Sequence, residues 1–67
     1  MPLIRAEDLE VGDLLKERVG HGILSIKRID IRKTLQDKEV VVFGPLGIVD
    51  KIPANTKVTI LNDRKKQ

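Results

Sequence analysis

The clearest pattern along the chain is an alternation that slips once. Between Gly22 and Arg32, Leu24 and Ile26 alternate with polar positions. Lys27-Arg28 then shifts the phase by one, and Ile29 and Ile31 resume the alternation. A period of two predicts a half-buried strand, and a single phase slip is what a β-bulge produces. The sequence therefore predicts one long strand over residues 22–32, bent near Lys27-Arg28, able to serve two sides of a closed sheet. Residues 39–43, Glu-Val-Val-Val-Phe, form a continuous apolar run stopped by Gly44-Pro45, which predicts a central strand. Residues 47–52 follow closely enough to complete a hairpin around Gly44-Pro45-Leu46-Gly47.

The flanks are simpler. Residues 57–61 alternate and predict the last strand, reached through Pro53-Ala54-Asn55-Thr56 as a single turn of 3₁₀ helix. Residues 62–67 carry no apolar side chain and read as a basic tail. Toward the N-terminus, Leu9 and Val11 alternate with acids before Gly12-Asp13, an extended segment entering a turn. Residues 13–19 are read as a first strand, ended by Gly20-His21-Gly22. A helix from Asp8 to Val19 is the competing reading: Val11, Leu14, Leu15 and Val19 fit helical spacing and Gly20 fits a C-terminal cap. Gly12 inside such a helix costs about 1 kcal/mol.

These elements predict an all-β chain. Five short strands form one small, partly open barrel over residues 1–61, followed by the tail. The expected core is Val11, Leu15, Leu24, Ile26, Ile29, Ile31, Val40, Val42, Ile48, Ile52, Val58 and Ile60. Over residues 9–61 the strand order resembles the SH3-like small barrels: a short first strand, a long bent second strand, a meander, a 3₁₀ turn and a final strand. Val41-Val42-Phe43-Gly44-Pro45-Leu46-Gly47-Ile48-Val49 is similar to a shortened KOW element of ribosomal and transcription-elongation proteins. That likeness implies contact with RNA or the transcription apparatus. Gly20-His21-Gly22-Ile23-Leu24-Ser25-Ile26 resembles the Gly-x-Gly lead into a strand in several SH3-like proteins. The peptide-binding surface of SH3 domains is an aromatic groove for proline-rich ligands. With Phe43 as the sole aromatic, this chain has no such groove to offer.

Composition narrows the function classes. A chain of 67 residues supports one small core and leaves little interior for an enclosed active site. The absence of cysteine excludes a disulfide framework and a thiolate metal site. No apolar run approaches the ~20 residues of a membrane span. The first residues show no basic stretch leading an apolar core, so the cytoplasm is the expected compartment. The formal net charge is +3, and it is unevenly spread. Residues 27–38 carry five basic and two acidic groups, and residues 57–67 carry four basic and one acidic. Such clusters attract polyanions.

Candidates for catalysis are sparse. His21, the sole histidine, has only carboxylates as potential co-ligands, and Ser25 lies within a strand rather than on a sharp turn. Glu7, Asp8, Glu10 and Asp13 crowd one segment without EF-hand spacing. Gly20, Gly22, Gly44 and Gly47 are turn residues without a following Gly-Lys-Ser/Thr triplet. The sequence thus points away from an enzyme and calls for no metal and no cofactor. Two binding readings remain. Leu14, Ile23, Val41, Val49 and Leu61 fall out of phase with the expected core, so together they would form an apolar face for a protein partner or a second copy. Alternatively, Lys27, Arg28, Arg32, Lys33 and Lys38, with Arg64, Lys65 and Lys66 of the tail, would contact the phosphates of DNA or RNA.

Overall fold

The computed structural model describes residues 3–20 and 22–62. The chain runs through β1 (Leu3–Arg5), a 3₁₀ turn (Ala6–Asp8), β2 (Leu14–Lys16), β3 (Ile23–Ser25), β4 (Arg28–Lys33), β5 (Lys38–Gly44), β6 (Gly47–Pro53) and β7 (Lys57–Thr59). The protein is all-β apart from that one 3₁₀ turn, and the helical alternative for residues 8–19 is not realised. The strands number seven rather than five among the described residues. They form three small antiparallel sheets, β1–β7, β2–β3 and β4–β5–β6, none of which closes on itself as a barrel.

The two additional strands have separate origins. The long bent strand is divided at Ile26-Lys27, next to the phase slip, into β3 and β4. Ile26 donates its N–H to the carbonyl of Asp13 (3.0 Å) and accepts from the N–H of Gly12 (2.9 Å), whereas Lys27 donates across to the carbonyl of Phe43 (2.9 Å). Strand β1 was not expected. It is three residues long and is held by register with the end of the chain, Ile4 opposite Val58. The 3₁₀ helix also lies elsewhere, at Ala6–Asp8. Pro53 to Thr56 closes as one hydrogen-bonded turn, Thr56 N–H to Pro53 carbonyl at 2.9 Å.

Leu15, Leu24, Ile26, Val40, Val42, Ile52, Val58 and Ile60 are buried together with Ala6, Leu9 and Ala54, and Ile29 packs against them half-buried. Three expected core residues face solvent instead. Val11 sits at the second position of the turn Glu10–Asp13, whose third residue, Gly12, takes φ +97°; the turn points Val11 outward and leaves Leu9 to fill the core. Ile31 lies on β4, which pairs with β5 alone, so it overhangs the sheet edge and remains 53% exposed. Ile48 is turned outward by a bulge. Phe43 pairs with Ile48 and Val42 with Asp50, so Val49 is the extra residue and the phase of β6 reverses there.

The same bulge explains Gly44. A Cβ at that position would lie 2.7 Å from Leu24 Cδ1 and 3.1 Å from Val49 Cγ2, so a side chain there would force Leu24 and Val49 to shift. At the other end of the core, Asp13 is 4% exposed. Its carboxylate accepts from Glu10 N–H (2.9 Å) and from Asn62 Nδ2 (3.1 Å), and Asn62 Oδ1 accepts from Leu14 N–H (2.7 Å). The N-terminal turn and the end of β7 are thereby tied to the start of β2.

Ile60 and Ile31 test this division between interior and rim. Ile60→Ala should destabilise the protein by about 3 kcal/mol, as removal of a fully buried branched side chain does. Ile31→Ala should cost less than about 1 kcal/mol. Urea unfolding followed by circular dichroism measures both, and equal losses would show that the core is misassigned.

Candidate functional site

The fold exposes two sheet faces of different character. The outer face of β4–β5–β6 carries three cross-strand rows: Arg28, Phe43 and Ile48; Asp30, Val41 and Lys51; Arg32, Glu39 and Pro53. Val41 is fully buried at the centre of this layer, so it is not available as the surface contact the sequence suggested. It lies on the central strand between Asp30 and Lys51, and Arg28 and Arg32 both reach Asp30 beside it. Arg28 lies over the Phe43 ring, its Cζ 4.7 Å from the centroid. Arg28 and Arg32 both pair with Asp30, at 3.1 and 3.6 Å.

The basic set predicted from the sequence is therefore not one patch. Arg28 and Arg32 share this face and one carboxylate. Lys27 is exposed at the bend. Lys33 and Lys38 are register partners at the far end, on strand positions of the opposite parity, and Lys38 Nζ lies 3.8 Å from Glu7 Oε1. Arg64, Lys65 and Lys66 lie outside the described residues, as does His21.

The second face is built from β1, β7, β2 and β3. Strands β7 and β2 meet at the bridge of Leu15 with Ile60, and Leu61 N–H donates to the Leu14 carbonyl (2.8 Å). That register aligns Leu3, Thr59, Lys16 and Ile23 in one row and Leu61, Leu14 and Ser25 in the next. Their alternation partners Ile4, Val58, Ile60, Leu15 and Leu24 point inward, so all of these side chains share the solvent side. Leu3 is 61% exposed, Ile23 64% and Leu14 38%. Three of the five predicted contact residues, Leu14, Ile23 and Leu61, are thus brought together. Leu3 joins them, a position the sequence did not flag because β1 was not expected.

Val49 is elsewhere. With Leu15, Glu17, Arg18, Val19 and Asp50 it lines a hollow of about 160 Å³ between the end of β2 and the edge of β6. Arg18 spans this gap. Its Nε and Nη2 donate to the Asp50 carboxylate at 2.9 and 3.0 Å, and Nη2 also reaches the Lys51 carbonyl at 3.4 Å. These hydrogen bonds hold the Asp50 carboxyl below its usual range, against the opposing effect of partial burial; charge attraction and the Lys51 N–H add to them. The same bonds raise Arg18 above its ordinary value.

Thr34 Oγ1 accepts from Asp37 N–H (3.1 Å) and closes the β4–β5 loop. Ser25 is half-buried on β3. Glu7 pairs with Arg5 at 3.4 Å and with Lys38. Among the described residues no three His, Cys, Asp or Glu side chains are grouped to hold a metal ion, and no helix is long and apolar enough to cross a membrane.

The Arg18–Asp50 pair makes stability depend on acid. The folded-state value of Asp50 lies below its unfolded value, so the contribution is complete above about pH 4 and is lost as pH falls through the depressed folded value. Both side chains are partly exposed, and solvent screening holds the contribution to about 1 kcal/mol or less. Asp50→Asn should lower the urea midpoint at neutral pH and match the parent protein in strong acid. A difference that persists undiminished in acid would assign the loss to something other than the ion pair.

Comparison with protein-family models, with curated proteins and with solved structures returns no match.

Proposed function

We propose that this chain is a non-enzymatic protein-interaction module on an SH3-like small-barrel plan, and that it acts through the outer face of β1–β7–β2–β3. The fold part of this reading is supported by the strand order. From β2 onward, a short strand, a segment bent at Ile26-Lys27 (β3 and β4), the hairpin β5–β6, a tight turn and a last strand follow one another. The Leu15–Ile60 bridge then sets the last strand beside β2.

The observation that carries the functional part is the contiguity of Leu3, Leu14, Ile23 and Leu61 on one solvent face. Single exposed aliphatics are ordinary, whereas a contiguous group marks a contact surface. Short strands add to this, because three-residue strands contribute little backbone pairing of their own and gain from a partner laid over them. The face β4–β5–β6 supports the nucleic-acid reading less well, since its two arginines already share Asp30.

Self-association is the simplest form of the proposal. Light scattering with size exclusion over a range of concentration should show a mass rising above the monomer. Ile23→Asp should abolish the rise while leaving the circular dichroism spectrum unchanged, because Ile23 is largely exposed. A constant monomer mass for the parent protein would exclude self-assembly. An associated species that survives both Ile23→Asp and Leu3→Asp would show that another face is used.

A further inference from the structure

Three cations, Lys16, Arg18 and Lys57, line one opening of this molecule, and a fourth, Arg5, stands beside Lys57. They belong to neither of the basic clusters as a group. Lys57 starts β7 and stands directly opposite Arg5 of β1. Like charges facing each other across an antiparallel pair are destabilising, so the register brings in a repulsion that a counter-charge would relieve. For Arg5 that counter-charge is Glu7, at 3.4 Å. Lys57 has no ion-pair partner within 4.0 Å among the described residues, and neither does Lys16.

The backbone provides a cleft at the same place. Strands β2 and β7 join at the single bridge of Leu15 with Ile60 and then part. The opening holds about 290 Å³ and is lined by Lys16, Glu17, Arg18, Lys57, Val58 and Thr59. Lys16 and Thr59 share the outer face with Lys57, so two ammonium groups and a hydroxyl border the mouth. Glu17 is the one acid in the lining. Its carboxylate is packed over Gly22 on the β3 side of β2, where a Cβ would collide with Oε1. It therefore lies on the far side of β2 from β7. Arg18 is held at the back of the cleft by Asp50.

We propose that the cleft between β2 and β7 is a binding site for a phosphate group, held by Lys16 and Lys57, with the Thr59 hydroxyl as a further donor; Arg18 lines the same cleft but its charge is already paired with Asp50. A tetrahedral anion accepts several hydrogen bonds at once, and bonds from charged donors are the strong ones. The group would come from a free phosphate, from a small phosphorylated ligand, or from the backbone of a single-stranded nucleic acid. Lys16 and Thr59 lie in one row with Leu3 and Ile23, but the proposal does not use the aliphatic contacts: it rests on the charge and shape of the cleft.

The test is an NMR titration of ¹⁵N-labelled protein with inorganic phosphate at constant ionic strength made up with chloride. The amides of Lys16, Arg18, Lys57 and Thr59 should shift together and saturate. Lys16→Gln with Lys57→Gln should weaken the apparent affinity by about tenfold or more, the loss of two charge-assisted contacts. Lys57→Gln alone guards against misfolding of the double variant, because it removes the repulsion with Arg5 and should melt no lower than the parent. Phosphate should raise the melting temperature of the parent protein and leave that of Lys57→Gln nearly unmoved. Parallel titrations with pyrophosphate and with a short oligothymidylate separate the sources: tighter binding of pyrophosphate points to a small ligand, tighter binding of the oligonucleotide at these same amides to a nucleic acid. Equal shifts with chloride alone, or shifts confined to Arg28, Phe43 and Arg32, would overturn the proposal.

Discussion

Two adjacent residues hand one strand from one sheet to another. Ile26 directs its N–H and C=O to Asp13 and Gly12, and Lys27 directs its N–H the other way, to Phe43. The segment from Ile23 to Lys33 therefore pairs with β2 along one edge and with β5 along the opposite edge. Ile26 is 1% exposed and sits at the centre of the buried cluster, so the change of partner happens where the chain has least freedom to move. It lets the chain pass from the β2–β3 pair directly into the β4–β5–β6 sheet, so that the apolar inner faces of both meet in one core.

That arrangement divides the surface as well as the core. On β4–β5–β6 the outer face is a mesh of paired charges around a buried valine, with Asp30 joined to two arginines and Arg28 resting on Phe43. On β1–β7–β2–β3 the outer face is aliphatic, flanked by cations from separate parts of the sequence. Arg18 and Asp50 tie the open side between β2 and β6, the place where pairing of backbone groups does not reach. The molecule thus offers a self-satisfied face and an unsatisfied one, which is why the functional reading settles on the second.

The exposed aliphatic face was legible in part. Leu14, Ile23 and Leu61 fall out of phase in short strands whose alternation is plain, and the structure groups them. Val49 is out of phase too, but the bulge at that residue sends it to a different hollow. Val41 belongs to an unbroken apolar run, where alternation carries no information about which side faces water. It is buried on the central strand, between Asp30 and Lys51. Leu3 could not be identified, since a three-residue strand with no neighbour in the sequence has no period to read. Lys16 and Arg18 were passed over because local charge density was the criterion and their segment holds more acids than bases; Lys57 lies in the basic stretch 57–67 but was not singled out with the tail residues.

Local patterning, then, determined that the chain is all-β, the approximate places of the strands from Leu14 onward though not the division of residues 22–32 or the site of the 3₁₀ turn, and most of its interior. These properties follow from side chains alternating across a pleated backbone and from glycine and proline at the turns, interactions between residues close in sequence. Tertiary structure alone decided the pairing of β1 with β7, the outward turn of Val11, Ile31 and Ile48, and the gathering of Lys16, Arg18 and Lys57 around one cleft. Each depends on which distant backbone lies alongside. Register across a sheet is set by the packing of the whole core, so no window of the sequence contains it.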